Sequence, residues 1–129
     1  MGLKMIKKIN ILLLILVFLI SACNAASTNL SVDPDPGNKD LGIEPSVHGF
    51  LTVNCNEDYS QEPLPKIWVK TADNKTPKFK VIWLDKDYIN NKIRWEFKII
   101  GLHPQQVYRI HGKTSISPTV VKTVEIPAE

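Results

Sequence analysis

Hydrophobic and polar positions alternate most strictly between residues 93 and 100. Ile93, Trp95, Phe97 and Ile99 fall on one side of an extended chain, Arg94, Glu96 and Lys98 on the other. Successive side chains of a strand point to opposite faces, so the segment predicts an antiparallel strand, Ile93–Ile100, with one dry and one wet face. The same period recurs in shorter runs. His48–Cys55 places Leu51, Val53 and Cys55 together, and Lys78–Leu84 places Phe79, Val81 and Trp83 together. Val107–Thr114 sets Tyr108 and Ile110 against Arg109, His111 and Lys113. Lys66–Thr71 and Val120–Ile126 complete the set, with Ala72–Lys75 as a turn and Asp85–Lys92 as a connection that holds at most a short edge strand around Tyr88. No stretch has a helical period. Six or seven short strands in residues 46–129 predict an all-β domain, a small antiparallel β-sandwich; the alternative is a small Greek-key barrel.

The N-terminus has a different texture. Lys4, Lys7 and Lys8 precede an unbroken apolar run, Ile11–Ile20, which is followed by Ser21, Ala22 and Cys23. This is the build of a secretory signal peptide, and the run is too short for a lasting span, which needs roughly 20 apolar residues. The quartet Ile20-Ser21-Ala22-Cys23 resembles the lipobox of bacterial lipoproteins. The resemblance implies removal of residues 1–22, lipidation of Cys23 and a membrane contact through that lipid. Asn24 takes the place where an aspartate resembles an inner-membrane retention signal in enterobacterial lipoproteins, which implies the outer membrane where the host has two. Residues 24–45, rich in proline, small polar residues and acids, read as a flexible tether between the anchor and a domain at 46–129.

The leader also changes the charge balance. It holds three of the sixteen basic residues and none of the thirteen acidic ones, so the formal charge of +3 belongs to the leader and the remainder is neutral. That leaves no electrostatic footprint for nucleic acid. It also leaves Cys55 without a partner if Cys23 is lipidated, as a core thiol on the apolar face of its strand; a Cys23–Cys55 disulfide in a non-lipidated chain is the alternative.

Leu102, Pro104, Tyr108 and Ile110 fall in the pattern Leu-x-Pro-x-x-x-Tyr-x-aliphatic, which resembles the tyrosine corner of fibronectin type III domains. Similar corners occur in transthyretin-like and other immunoglobulin-like sandwiches. The resemblance, confined to about residues 93–117, implies an immunoglobulin-like sandwich in which the Tyr108 ring closes one end of the core and its hydroxyl returns to the backbone upstream.

Candidate chemistry is sparse. Catalysis by Cys55 needs a histidine base and an orienting acid, and His48, His103 and His111 show no local signature that places one there. Nor do the histidines have a metal-ligand spacing. Asp33-Pro34-Asp35 resembles the start of a calcium loop only superficially. Arg94, Glu96 and Lys98 with Arg109, His111 and Lys113 read as one mixed-sign, solvated sheet face. Trp68 is the best candidate for an exposed aromatic contact, provided that Ile67 and Val69 point inward. The sequence therefore predicts a non-enzymatic binding or structural module in the cell envelope with a protein partner, without metal or cofactor, its site on loops such as Asn56–Pro65 or Ser115–Pro118. An accessory lipoprotein of a secretion or pilus assembly, and a loop-based inhibitor of a secreted hydrolase, are the alternatives.

Overall fold

The alternation of residues 93–100 becomes the centre of a four-stranded sheet. The computed structural model describes residues 27–54 and 63–129. They contain β1 (Ser27–Asp35), β2 (Ser46–Asn54), β3 (Pro65–Thr71), β4 (Lys80–Ile89), β5 (Lys92–Ile100), β6 (Val107–Thr114) and β7 (Val120–Glu125). One sheet has the order β1-β2-β5-β4 and the other β3-β6-β7, and every pairing is antiparallel. The sheets do not close into a barrel, which sets the Greek-key alternative aside. The strand order is that of the constant-type immunoglobulin sandwich.

The inner faces are those that the periodicity marks. Leu51, Val53, Ile93, Phe97 and Ile99 of the larger sheet meet Val69, Ile110 and Val124 of the smaller one, all buried. Fully burying a side chain of this size contributes about 1.5–3 kcal/mol, so these few positions dominate the stability. Leu102, Tyr108 and Ile126 close one end.

Two expectations are corrected. The tether expected over residues 24–45 is in large part folded: β1 pairs with β2 along its whole length, from Ser27 opposite Asn54 to Asp35 opposite Ser46. Leu30 is buried, and Val32 packs against the core. Those two apolar residues anchor a strand that draws its hydrogen bonds from β2. Pro34 is tolerated because β1 is an edge strand, where a missing N–H leaves no neighbour unpaired. The β1–β2 connection is also ordered. Asp35 accepts a bond from the Gly37 amide at 2.8 Å, and Asn38 caps a short 3-10 turn, Lys39–Leu41, that ends on Gly42 in the left-handed region.

The second correction concerns Asp85–Lys92. It is not a connection: β4 runs on through a bulge at Leu84 to Ile89. Asn90 and Asn91, both with positive φ (50° and 61°), then make the two-residue turn that matches the twist of a hairpin. The bulge leaves Trp83 on the inner side opposite Phe97 and brings Lys86 and Tyr88 to the same side.

The leader, Cys23 and Asn24 lie outside the described residues. So do Cys55 and most of the loop that ends at Pro65.

Candidate interaction face

β3 and β6 settle the orientation of Trp68. Ile67 and Val69 are buried, so Lys66, Trp68 and Lys70 project from the outer face of the smaller sheet. On β6, Tyr108, Ile110 and Thr114 are buried, which puts Arg109, His111 and Lys113 on that same outer face. The register then pairs Lys66 with Lys113, Trp68 with His111 and Lys70 with Arg109. An aromatic pair is thus flanked on both sides by like charges directly opposite one another.

The contacts fix this arrangement. The Trp68 and His111 rings stack with centroids 5.1 Å apart and planes 14° apart. Lys66 Nζ lies over the indole, 5.4 Å from its centroid. Lys70 Nζ donates to Thr76 Oγ1 at 2.7 Å. Arg109 Nη2 donates to the Thr71 carbonyl at 3.3 Å and to Asn74 Oδ1 at 3.1 Å. None of these partners is an acid. Arg109 Nε and His111 Nδ1 are both buried without a hydrogen-bond partner among the described residues. β7 adds Val121 opposite His111, Thr123 opposite Arg109 and an acid, Glu125, opposite Val107 at the corner end.

The larger sheet has a contrasting outer face. His48 Nε2 lies 2.7 Å from Glu96 Oε2, and Arg94 Nη2 lies 2.8 Å from Asp87 Oδ2. Arg94 also covers the Phe50 ring at 5.0 Å. On this face the Arg94 cation is paired with an acid, and the Glu96 carboxylate meets an imidazole. The single mixed-sign face expected from Arg94, Glu96, Lys98, Arg109, His111 and Lys113 is therefore corrected: β5 and β6 belong to different sheets, and the split leaves one face with acids beside its basic groups and the other cationic. The signal for the cationic face is visible in each strand alone, as Lys66-x-Trp68-x-Lys70 and Arg109-x-His111-x-Lys113, but it acquires meaning only through the β3–β6 register.

Tyr108 is buried, and its hydroxyl accepts a hydrogen bond from the His103 amide at 3.0 Å. Leu102 is buried beside it and Pro104 half-buried. Next to this corner an open cleft of about 360 Å³ lies between the β1–β2 connection, the 101–104 segment and Glu129; Ile43, Pro45 and Pro104 are among its walls. Its walls carry one histidine, His103, two acids, Glu44 and Glu129, and no thiol. His48, His103 and His111 sit on the larger sheet, the corner and the smaller sheet respectively, and among the described residues no group of three His, Cys, Asp or Glu side chains could hold a metal ion. Among the described residues no helix is long and apolar enough to cross a membrane.

Comparison with known proteins adds no relative: no family model matches the chain, and neither the curated proteins nor the solved structures include a significant match.

Proposed function

We propose that the chain is a lipid-anchored protein of the cell envelope whose sandwich is a non-enzymatic binding module, and that the outer face of the β3-β6-β7 sheet, centred on Trp68, receives an acidic protein partner. The observation that carries this reading is the cross-strand register of Lys66 with Lys113 and Lys70 with Arg109 around the Trp68–His111 stack. Like charges directly opposite on a sheet each cost a few tenths to about 1 kcal/mol. A face that holds two such pairs is less stable alone than against a surface carrying carboxylates. The half-buried tryptophan at its centre has the character of an interface anchor. The lipid anchor rests on the Ile20–Cys23 quartet and the leader before it.

A photo-crosslinker placed beside the stack, at Val121, in the full-length chain expressed in its native host tests the reading. The expected result is one dominant adduct with an envelope protein, lost when Lys113→Glu reverses the charge of the face. An unchanged adduct pattern in the Lys113→Glu chain sinks the proposal for this face. Retention of Cys23→Ser chains in membranes sinks the anchor.

A further inference from the structure

The strand register sorts the loops into two poles. Residues 101–106 join the end of β5 to the start of β6, so Ile100 and Val107 share one pole with the tyrosine corner. The opposite ends of the strands share the other. There Ser27 pairs with Asn54, Asn54 with Lys92 and Lys92 with Ile89, while Pro65 pairs with Thr114 on the smaller sheet. The N-terminus of β1 therefore emerges at the pole that holds the end of β2, Leu64 just before β3, the Asn90-Asn91 hairpin and the 115–119 turn.

Only residues 24, 25 and 26 separate Cys23 from β1. At about 3.5 Å per residue, even a fully extended chain spans roughly 14 Å from Cys23 to Ser27. The folding of residues 27–35 into β1 thus converts the anchor from a long leash into a short one. A lipid on Cys23 holds this pole at the bilayer surface and points the corner pole away from it.

The side chains at the same pole fit that placement. Leu64 is 73% exposed, Ile89 48% and Ile116 36%. Two of them sit on loops locked together: the Leu64 amide donates to Ser115 Oγ and the Ser115 amide to the Leu64 carbonyl, each at 3.0 Å. Thr114 and Ser117 brace the turn beyond, with the Thr114 amide donating to Ser117 Oγ at 3.0 Å and the Ile116 amide to Thr114 Oγ1 at 3.3 Å. Exposed aliphatic tips on hydrogen-bonded loops lose little conformational freedom on burial, which favours binding. Lys92, beside the Asn90-Asn91 hairpin, is exposed, with a stem that can lie along apolar surface while its ammonium group reaches a lipid phosphate.

We infer that this pole docks on the bilayer, with Leu64, Ile116 and Ile89 entering the interface between headgroups and acyl chains. The inference rests on the lipid anchor proposed above. One lysine contributes little attraction beside three exposed aliphatic side chains, so the docking is led by apolar insertion and not by net charge. It therefore operates on zwitterionic bilayers.

The test uses the lipidated full-length chain, in a Cys55→Ser background, reconstituted into phosphatidylcholine vesicles that carry a shallow spin-labelled lipid. Single cysteines at Leu64→Cys, Ile116→Cys and, as the distal reference, Leu41→Cys carry an environment-sensitive fluorophore. The expected result is a blue shift and loss of emission at 64 and 116, with neither at 41. Vesicle-bound protein without quenching at 64 and 116, or with equal quenching at 41, overturns the docking and leaves the anchor standing. A Cys23 that mass spectrometry finds unmodified in the native host overturns the anchor and the docking together.

Discussion

Gly49 and Phe97 are directly opposite one another on β2 and β5, and the ring of Phe97 occupies the space that a side chain at 49 would fill. A methyl carbon at Gly49 would stand 2.9 Å from Phe97 Cε2 and 2.8 Å from the Ser31 carbonyl oxygen. On its other flank Phe97 meets Trp83 edge to face, with centroids 5.8 Å apart. The ring thus bridges β2 to β4 across the middle of the sheet. Gly49→Ala should cost about 1–3 kcal/mol, the usual penalty for adding a methyl group to a well-packed core. Urea unfolding checks this through a lower midpoint at an unchanged slope. A midpoint equal to that of the parent would mean that the Phe97 ring is free to move off Gly49.

The corner offers a finer discrimination. Tyr108→Phe keeps the buried ring and removes only the acceptor for the His103 amide. His103 is exposed, so water can replace the hydroxyl, and the loss should stay within about 0.5–1.5 kcal/mol, the net worth of an ordinary hydrogen bond. Leu102→Ala, which empties a buried site at the same corner, should cost about 2–5 kcal/mol. If the two variants unfold at equal urea concentrations, the hydroxyl holds the corner as strongly as the packing of Leu102 does, and the expected order fails.

These two sites show what the sequence makes legible. β5, β6 and the corner are local: an eight-residue alternation and a nine-residue pattern carry them. β1 hides because its two apolar anchors, Leu30 and Val32, are diluted by acids and prolines, and because an edge strand needs only one neighbour to satisfy its backbone. The second half of β4 hides because the bulge at Leu84 breaks the period of two just where Asp85-Lys86-Asp87 looks like a turn, although the Asn90-Asn91 dipeptide marks the true hairpin. The cationic face depends on which sheet each strand joins. Arg94 and Arg109 look equivalent along the chain, yet only Arg94 finds an acid, Asp87, across its own sheet.

Asp73 ties a surface turn to pH. The Thr71 hydroxyl donates to its carboxylate, and this bond, assisted by the Asp73 backbone amide and by Lys75, outweighs desolvation and holds its pKa below the usual carboxylate range. The unfolded chain therefore binds the proton more readily than the folded one. The stabilising contribution is complete above the ordinary carboxylate range and is lost as the pH falls through the lowered value. A carbon-detected NMR titration should find the Asp73 midpoint below that of an unstructured peptide, and Thr71→Val should move it upward. A midpoint unaffected by Thr71→Val would assign the shift to the Asp73 backbone amide and Lys75 instead.

The cationic face yields the sharpest test, because stability and binding should respond in opposite directions. Lys113 stands opposite Lys66, and Lys66 in turn lies over the Trp68 ring. Lys113→Glu replaces a like-charge pair by an opposite one without removing the cation above the indole. Such cross-strand exchanges are worth about 0.2–1 kcal/mol, so the variant should unfold at a higher urea concentration than the parent. The gain should shrink in molar salt, where the screening length falls to roughly 3 Å. The same variant should lose the crosslinked partner. Under the proposed reading, an acidic surface offsets the repulsion among Lys66, Lys70, Arg109 and Lys113. If Lys113→Glu is neutral or destabilising at low salt, the repulsion is already relieved within the free domain, and the argument that this face awaits an acidic partner fails with it.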